Sequence, residues 1–405
     1  MIELLAPAGG MPQLKAALRF GADAVYGGLK QFGLRSFAGN FTPEELQQAT
    51  DLLHKQGKKF YVTLNILPFE DELNLLSQTA KIALDCGADG AIVSDLGAFA
   101  RLSKDVPGLP LHVSTQANVL NAQAARIFIS LGAKRIVPAR ELSLERVKAL
   151  REKIPPDVEI ECFVHGAMCM SYSGRCMLSD HMTGRRSNRG ECAQPCRWHY
   201  TVVEEKRPGE YIPVESDERG TALFSAFDLC MLEYLPQMKE AGISSLKIEG
   251  RMKTAYYVAS VVSVYRRALD LLEQKGEDAY RQALPGLIRD IQKASHRPSN
   301  TGFYFGAPRP AFGADGFEQT MEYIADVEGW QDGKALLRLK NRFFVGDEIE
   351  FLTPGGSRTL TVSDIILEGQ SVNTVSVAGQ TLAVPCPFQV HPGDFVRGKN
   401  RNHRG

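Results

Sequence analysis

The chain has 405 residues, 44% of them apolar, and carries 47 Lys and Arg against 47 Asp and Glu. That length and apolar share allow one large and one small domain, each with its own core. The balanced charge excludes a protein that coats nucleic acid through its overall charge and leaves room only for a local basic patch.

The opening stretch MIELLAPAGG has no basic segment and no small-residue cleavage site, so no signal peptide is expected. No apolar run approaches ~18 residues, so no membrane span is expected either. The expected location is therefore the cytoplasm. Clustered cysteines there are more often metal ligands or catalysts than disulfides.

One phrase recurs along the first part of the chain: GADAVY at 21–26, GADGAIV at 87–93, GAKRIV at 132–137 and GISSLK at 242–247. Each follows a helix-like segment and leads into a β-branched run. A Gly just past a helix end, followed by a short buried strand, is the sequence form of an αβ unit. The pattern predicts strands at 2–5, 23–26, 59–65, 90–94, 111–116, 135–139, 158–165 and 245–249. Helical patterns separate most of them. In TPEELQQATDLLHKQG, Thr42 is the expected N-cap and Pro43 the first helical residue. Eight strands alternating with helices predict an α/β fold, a (β/α)8 TIM-like barrel over 1–291. A doubly wound sheet is the alternative, but no Gly-rich phosphate fingerprint follows the first strand.

The pattern breaks between the seventh and eighth strands, where about 80 residues (166–244) form an insertion. Loops of that size inside a compact domain are usually functional. After the barrel, 292–316 is rich in Pro, Gly and aromatics and reads as a linker. Short strand-like runs then predict a small all-β domain over 317–405, read as a C-terminal β-barrel.

The insertion holds Cys169, Cys176, Cys192 and Cys196, spaced C-x6-C-x15-C-x3-C. Structural zinc prefers two short knuckles, and only the second pair here is short. Four thiolates in an irregular loop suit an iron–sulfur cluster, which tolerates varied spacing. Such a cluster is net negative, and Arg175, Arg185, Arg186, Arg189 and Arg197 outnumber Asp180 and Glu191 around it. Spacing alone leaves iron–sulfur, zinc and unliganded thiols open. Cys86 and Cys386 read as bland, Cys162 as packed core, and Cys230 as either core or a substitute ligand.

In a barrel, one strand parity faces the helices and the other faces inward. On the inward parity stand Tyr61, Thr63 and Asn65, then His112, Ser114 and Gln116, then Glu161 and His165, then Lys247 and Glu249 with Arg251 beyond. Any one of these alone reads as a satisfied interior polar residue. Convergence from four strands on the face where this fold keeps its catalytic groups points to a site. Lys247, Glu249 and His165 are the candidate catalytic residues, with Lys247 and Glu249 placed to pair. Asn65, Gln116, Arg140 and Arg251 are the candidate substrate contacts, the two arginines suited to a carboxylate. Arg185, Arg186 and Arg189 are candidate phosphate contacts, and the basic tail with Arg397, Lys399, Arg401 and Arg404 is another. No G-x-S-x-G or H-E-x-x-H motif is present.

ELLAPAG, GADAVYGG, FVHGAMCMSYSGRC, NRGECAQPCRW, SLKIEGRMK and HRPSNTGF together closely resemble the peptidase U32, or collagenase-like protease, family. The resemblance covers nearly the whole chain. The C-terminal KNRFFVGDEIEFLTPGG is most similar to the branch that hydroxylates the wobble uridine of transfer RNA. The resemblance implies a [4Fe-4S] cluster on Cys169, Cys176, Cys192 and Cys196, tRNA as partner, prephenate as a co-substrate, and hydroxylation without molecular oxygen. It also carries the alternative of a peptidase or peptide-binding protein with a structural metal site. A homodimer, or a partner subunit from the same family, is compatible with it.

Overall fold

The computed structural model describes residues 2–30, 39–168, 176–187, 191–198, 201–203, 211–213, 227–306 and 318–400. The helices are α1 (Met11–Arg19), α2 (Pro43–His54), α3 (Leu73–Asp85), α4 (Leu96–Asp105), α5 (Ala122–Ser130), α6 (Leu144–Arg151), α7 (Leu178–Thr183), α8 (Leu235–Glu240), α9 (Ala255–Gln274) and α10 (Gly276–Ile291). Among the described residues no helix is long and apolar enough to cross a membrane. The expected start of α2 is met in full. Thr42 Oγ1 accepts from the Glu45 N–H, the Glu45 carboxylate accepts from the Thr42 N–H, and Pro43 opens the helix.

Contacts divide the chain into two compact units: residues 1–11, 23–252 and 297–316 form one, and residues 12–22, 253–296 and 317–405 the other. The first unit contains β1 (Glu3–Pro7), β2 (Ala24–Gly27), β3 (Lys59–Leu64), β4 (Gly90–Val93), β5 (Leu111–Val113), β6 (Ala133–Ile136), β7 (Glu159–Ala167), β8 (Thr201–Val203), β9 (Tyr211–Pro213), β10 (Asp228–Cys230), β11 (Ser245–Ile248) and β12 (Ser299–Asn300). Strands β1 to β7 pair in sequence, β1 pairs with β11, and β11 pairs with β7, all in parallel, so eight strands close a barrel. This is the TIM-like architecture expected from the repeated αβ units. Leu5, Ala24, Tyr26, Tyr61 and Ile92 form a buried cluster contributed by four successive strands.

The insertion follows β7. It contains α7, the β8–β9 ribbon, and β10, which runs antiparallel to the last turn of β7 and carries β12 on its other side. Gly166 in β7 has φ 104°, and an added Cβ there would lie 2.5 Å from the Glu249 carbonyl oxygen. Only a glycine lets the chain after β11 approach so closely.

The second unit contains β13 (Met321–Gln331), β14 (Lys334–Leu339), β15 (Phe343–Phe344), β16 (Glu348–Thr353), β17 (Gly356–Thr361), β18 (Ile365–Leu367), β19 (Gln370–Val372), β20 (Thr374–Val375), β21 (Thr381–Pro385) and β22 (Phe395–Lys399). Eight of these make one antiparallel sheet in the order β17-β16-β22-β13-β14-β21-β18-β19, with β15 and β20 as a separate pair. Phe351, Leu337, Val384 and Val396 lie in its core.

The units run across the linear division read from the sequence. Helices α1, α9 and α10 group with the antiparallel sheet, and 297–316 groups with the barrel. Side chains explain the first grouping. Arg19 Nε bonds Asp394 at 3.0 Å, Tyr256 stacks on Tyr323 at 5.0 Å between ring centres, and Lys293 pairs with Glu350 at 2.9 Å. Arg397, expected in a basic tail, is instead a β22 residue only 1% exposed, bonded to Glu350 and Ser357. Its guanidinium is committed to the fold and is not a phosphate contact.

Candidate functional site

Polar groups fill the barrel from its N-terminal end upward. Arg135, 1% exposed, sits at the centre of the lower layer. It bonds Glu3 at 2.7 Å, Glu159 at 2.8 Å and Glu161 at 3.0 Å. Tyr61 donates to Glu3 at 2.8 Å, and Ser245 donates to Glu3 at 2.7 Å. His112 stands edge-on to Tyr61, 4.7 Å between ring centres. Burial, then the nearby Arg135, depresses the His112 pKa well below 6.5, so the ring stays neutral.

Lys247 connects this layer to the C-terminal end. Its Nζ lies 2.7 Å from Glu161 Oε1, 4.3 Å from the centre of the Tyr26 ring and 5.4 Å from that of Phe163. Burial pushes the Glu161 carboxyl up, but Lys247 and then Arg135 outweigh it and hold the group below its ordinary value. The carboxylate is therefore charged and faces two cations. The expected Lys247–Glu249 pairing is not the one formed. Strand β11 ends at Ile248, and its register against β7 shifts between Lys247 and Ile248. Glu249 thus leaves the regular alternation, and its Oε2 accepts from the Tyr26 hydroxyl at 3.3 Å.

Tyr26 is the hub of the upper layer. Its hydroxyl also donates to the Ile248 carbonyl at 2.9 Å. Burial first, then Glu249, raises its pKa well above 10, so it stays a neutral donor. The Arg140 guanidinium stacks 3.7 Å over Phe163 and donates to the Ala167 carbonyl at 3.1 Å. Arg251, 4% exposed, donates to Thr63 Oγ1 at 2.9 Å and to Asn40 Oδ1. Gly28 makes this possible, because a Cβ there would fall 2.4 Å from Arg251 Nη2. Nearby, Ser94 Oγ donates to the Asn65 carbonyl at 2.9 Å and to Gln116 Oε1 at 3.2 Å. His165 is buried and meets Cys230 across the β7–β10 pairing. Charged nitrogens and a neutral phenol collected at one barrel end can hold and polarise a carboxylate or carbonyl group.

The sequence therefore located Lys247, Glu249, His165, Asn65, Gln116, Arg140 and Arg251 at or near one end of one barrel. It missed Tyr26, Phe163, Asn40 and Arg135. Tyr26 had a usable signal, since it ends the first GADAVY repeat on a buried strand. Asn40 had none, because its place depends on a left-handed loop conformation, φ 49°.

Of the insertion residues, Cys169, Arg175 and Arg189 lie outside the described residues, as do Arg401 and Arg404 of the tail. Cys176 stands just before α7, and Cys192 and Cys196 lie in and beside the turn Pro195–Arg197. The Leu178 N–H points to Cys176 Sγ at 3.5 Å, and the Gln194 N–H to Cys192 Sγ at 3.4 Å. Gln194 takes φ 59° to turn the chain into Pro195. Ser179 Oγ accepts from the Ala193 N–H at 3.0 Å, which ties α7 to the second cysteine pair. Among the described residues no group of three or more His, Cys, Asp and Glu side chains is gathered for a metal. The donor set still fits a thiolate-bound group. Each of two sulfurs has a backbone N–H donor two residues on, as sulfurs in metal-binding loops do. Arg185 Nε donates to the Glu191 carbonyl at 2.9 Å, and the Arg186 N–H to the Glu191 carboxylate at 3.2 Å.

Two family models match the chain: peptidase family U32 over residues 9–312 and the peptidase family U32 C-terminal domain over 319–397. A tRNA hydroxylation protein P1 of Bacillus subtilis is 39% identical over 357 residues, covering 87% of this chain and 83% of that one. A tRNA hydroxylation protein P of Escherichia coli is 32% identical over 430 residues, covering 95% and 94%. A collagenase of Porphyromonas gingivalis is 31% identical over 409 residues, covering 97% and 96%.

Proposed function

We propose, from the premise that this chain belongs to peptidase family U32, that it hydroxylates RNA and does not cut peptides. Its substrate in this reading is the wobble uridine of tRNA, and its product is 5-hydroxyuridine. The two relatives described as tRNA hydroxylation proteins support the RNA class. The observation that carries the choice between hydroxylase and peptidase is the likeness to these two relatives over 87% and 95% of the chain, in a sequence with neither G-x-S-x-G nor H-E-x-x-H.

Cys169, Cys176, Cys192 and Cys196 would hold a [4Fe-4S] cluster, which when bound supplies one-electron or Lewis-acid chemistry. The chain's own residues do the rest. Arg185, Arg186 and Arg189 grip phosphates. The target base, turned out of its stack, reaches the C-terminal end of the barrel, where Asn65 and Gln116 meet its polar edge. Replacing C5–H by C5–OH removes two electrons, so an acceptor other than O2 must be reduced, and the oxygen atom comes from that compound or from water. Lys247, Arg140, Arg251 and the Tyr26 hydroxyl suit a carboxylate co-substrate, and prephenate is the first compound to test. His165 and Glu249 would move protons in this reading. The setting in this reading is the cytoplasm.

Purification without oxygen separates the readings. The hydroxylase reading expects brown protein, with iron and sulfide near four each per chain, that adds oxygen to tRNA uridine. Colourless protein that cleaves collagen peptides at full rate would establish the peptidase instead.

A further inference from the structure

Three large apolar side chains stand open to solvent on the cysteine loop: Met177 at 73% exposure, Met182 at 42% and Trp198 at 46%. They stand on two elements that pack together. Helix α7, which Met177 precedes and which contains Met182, packs against the Pro195–Arg197 turn that Trp198 ends. The Trp198 N–H bonds the Pro195 carbonyl at 3.1 Å, fixing the residue's backbone at the end of that turn.

Charge says what the surface would meet. Arg185 and Arg186 are exposed on the same loop. The neighbouring carboxylates are occupied with backbone amides: Asp180 with the Ser187 N–H at 3.1 Å and Glu191 with the Arg186 N–H at 3.2 Å. The loop thus exposes apolar side chains together with two arginines. An unpaired nucleotide matches both properties, its base against the indole and its phosphate against the guanidinium groups. The loop leaves the C-terminal end of β7, the barrel end where the candidate site lies.

We infer that Trp198 is a stacking platform for an unpaired base beside the nucleotide that enters the barrel. This rests on the RNA reading above and adds to it a residue and a form of recognition. Stacking is tolerant of base identity, so Trp198 selects for single-stranded RNA and not for sequence.

Fluorescence tests it. The chain has two tryptophans, and Trp330→Phe leaves Trp198 as the sole reporter. The full-length variant, purified without oxygen, is titrated with unmodified tRNA, an anticodon stem–loop and a fully paired RNA duplex. Binding is followed independently by anisotropy of labelled RNA. Expected is saturable quenching of Trp198 by tRNA and by the stem–loop, in step with binding, and little by the duplex. Trp198→Ala should weaken stem–loop binding about five- to a hundredfold, with the log–log salt slope unchanged, while Trp198→Phe keeps most of the affinity. If Trp198→Ala does not fold, the Trp330→Phe quenching still decides. Tight tRNA binding with no change in Trp198 fluorescence overturns the platform and leaves the RNA reading standing. Equal quenching by duplex and stem–loop also overturns it. Absence of tRNA binding by the wild-type chain overturns both.

Discussion

The Lys247 ammonium lies 2.7 Å from Glu161 Oε1, with the two side chains 6% and 0% exposed. Arg135 closes on the other oxygen of the same carboxylate at 3.0 Å. Removing one member leaves a buried charge without its match, which typically costs ~3–5 kcal/mol. Lys247→Met and Glu161→Leu should each lower the urea unfolding free energy by about that amount. Together they should cost clearly less than the sum, because the double variant strands no partner of this pair. Small, additive losses would show that the pair contributes little.

The same groups set a pH dependence. The folded pKa of Glu161 is held below its ordinary 4.5, so its stabilisation is present above that value and lost as pH falls through the folded one. His112 is depressed well below 6.5, chiefly by burial and then by Arg135, with smaller effects of Glu3, Lys247 and Lys59. The unfolded imidazole gains a proton below about 6.5 and the folded one does not, so stability starts to fall there. Unfolding free energies measured from pH 8 to pH 5 should decline less steeply in His112→Gln than in wild type, by up to ~1.4 kcal/mol per pH unit. Parallel curves would contradict the buried neutral ring.

Iron content reads the cysteine assignment directly. Ala at Cys176, Cys192 or Cys196 should remove iron, whereas Ala at Cys86 or Cys386 should leave it. Cys386 is 1% exposed in the core of the antiparallel sheet, so its loss should lower thermal stability alone. Retained iron in Cys196→Ala with loss in Cys230→Ala would move a ligand to Cys230, which lies opposite His165.

The arginines divide by environment. Arg397→Ala removes bonds to Glu350 and Ser357 inside the second unit and should reduce stability without altering the salt dependence of RNA affinity. Arg185→Ala and Arg186→Ala should each flatten the log–log salt slope by ~0.7–0.9. A triple change with Arg189 that strips iron before it weakens RNA binding would assign these residues to the cluster instead.

The barrel was legible because four of its units repeat one local rule, a glycine past a helix followed by a short buried run, and strand-like and helical runs alternate between them. Local rules also gave the inward parity of Tyr61, Thr63 and His112 and the cap at Thr42. What sequence could not give was partnership across strands. Lys247 and Glu249 look paired because they are two residues apart, but the register shift against β7 breaks the alternation, and Glu161 reaches Lys247 from 86 positions away. Arg397 looked like part of a basic tail because nothing nearby in sequence announces Glu350 as its partner. The gathering of α1 with β22 is likewise invisible, resting on Arg19 and Asp394, 375 positions apart.

Nucleoside mass spectrometry of tRNA tests the central claim most directly. A strain lacking this chain is complemented with the wild-type sequence, with Cys176→Ala or with Lys247→Met, and grown without oxygen. The account predicts 5-hydroxyuridine, or a nucleoside built on it, with the wild-type chain and none with Cys176→Ala. Lys247→Met should give a reduced yield with its iron retained. Unchanged tRNA in the presence of wild-type protein with an intact cluster would contradict it.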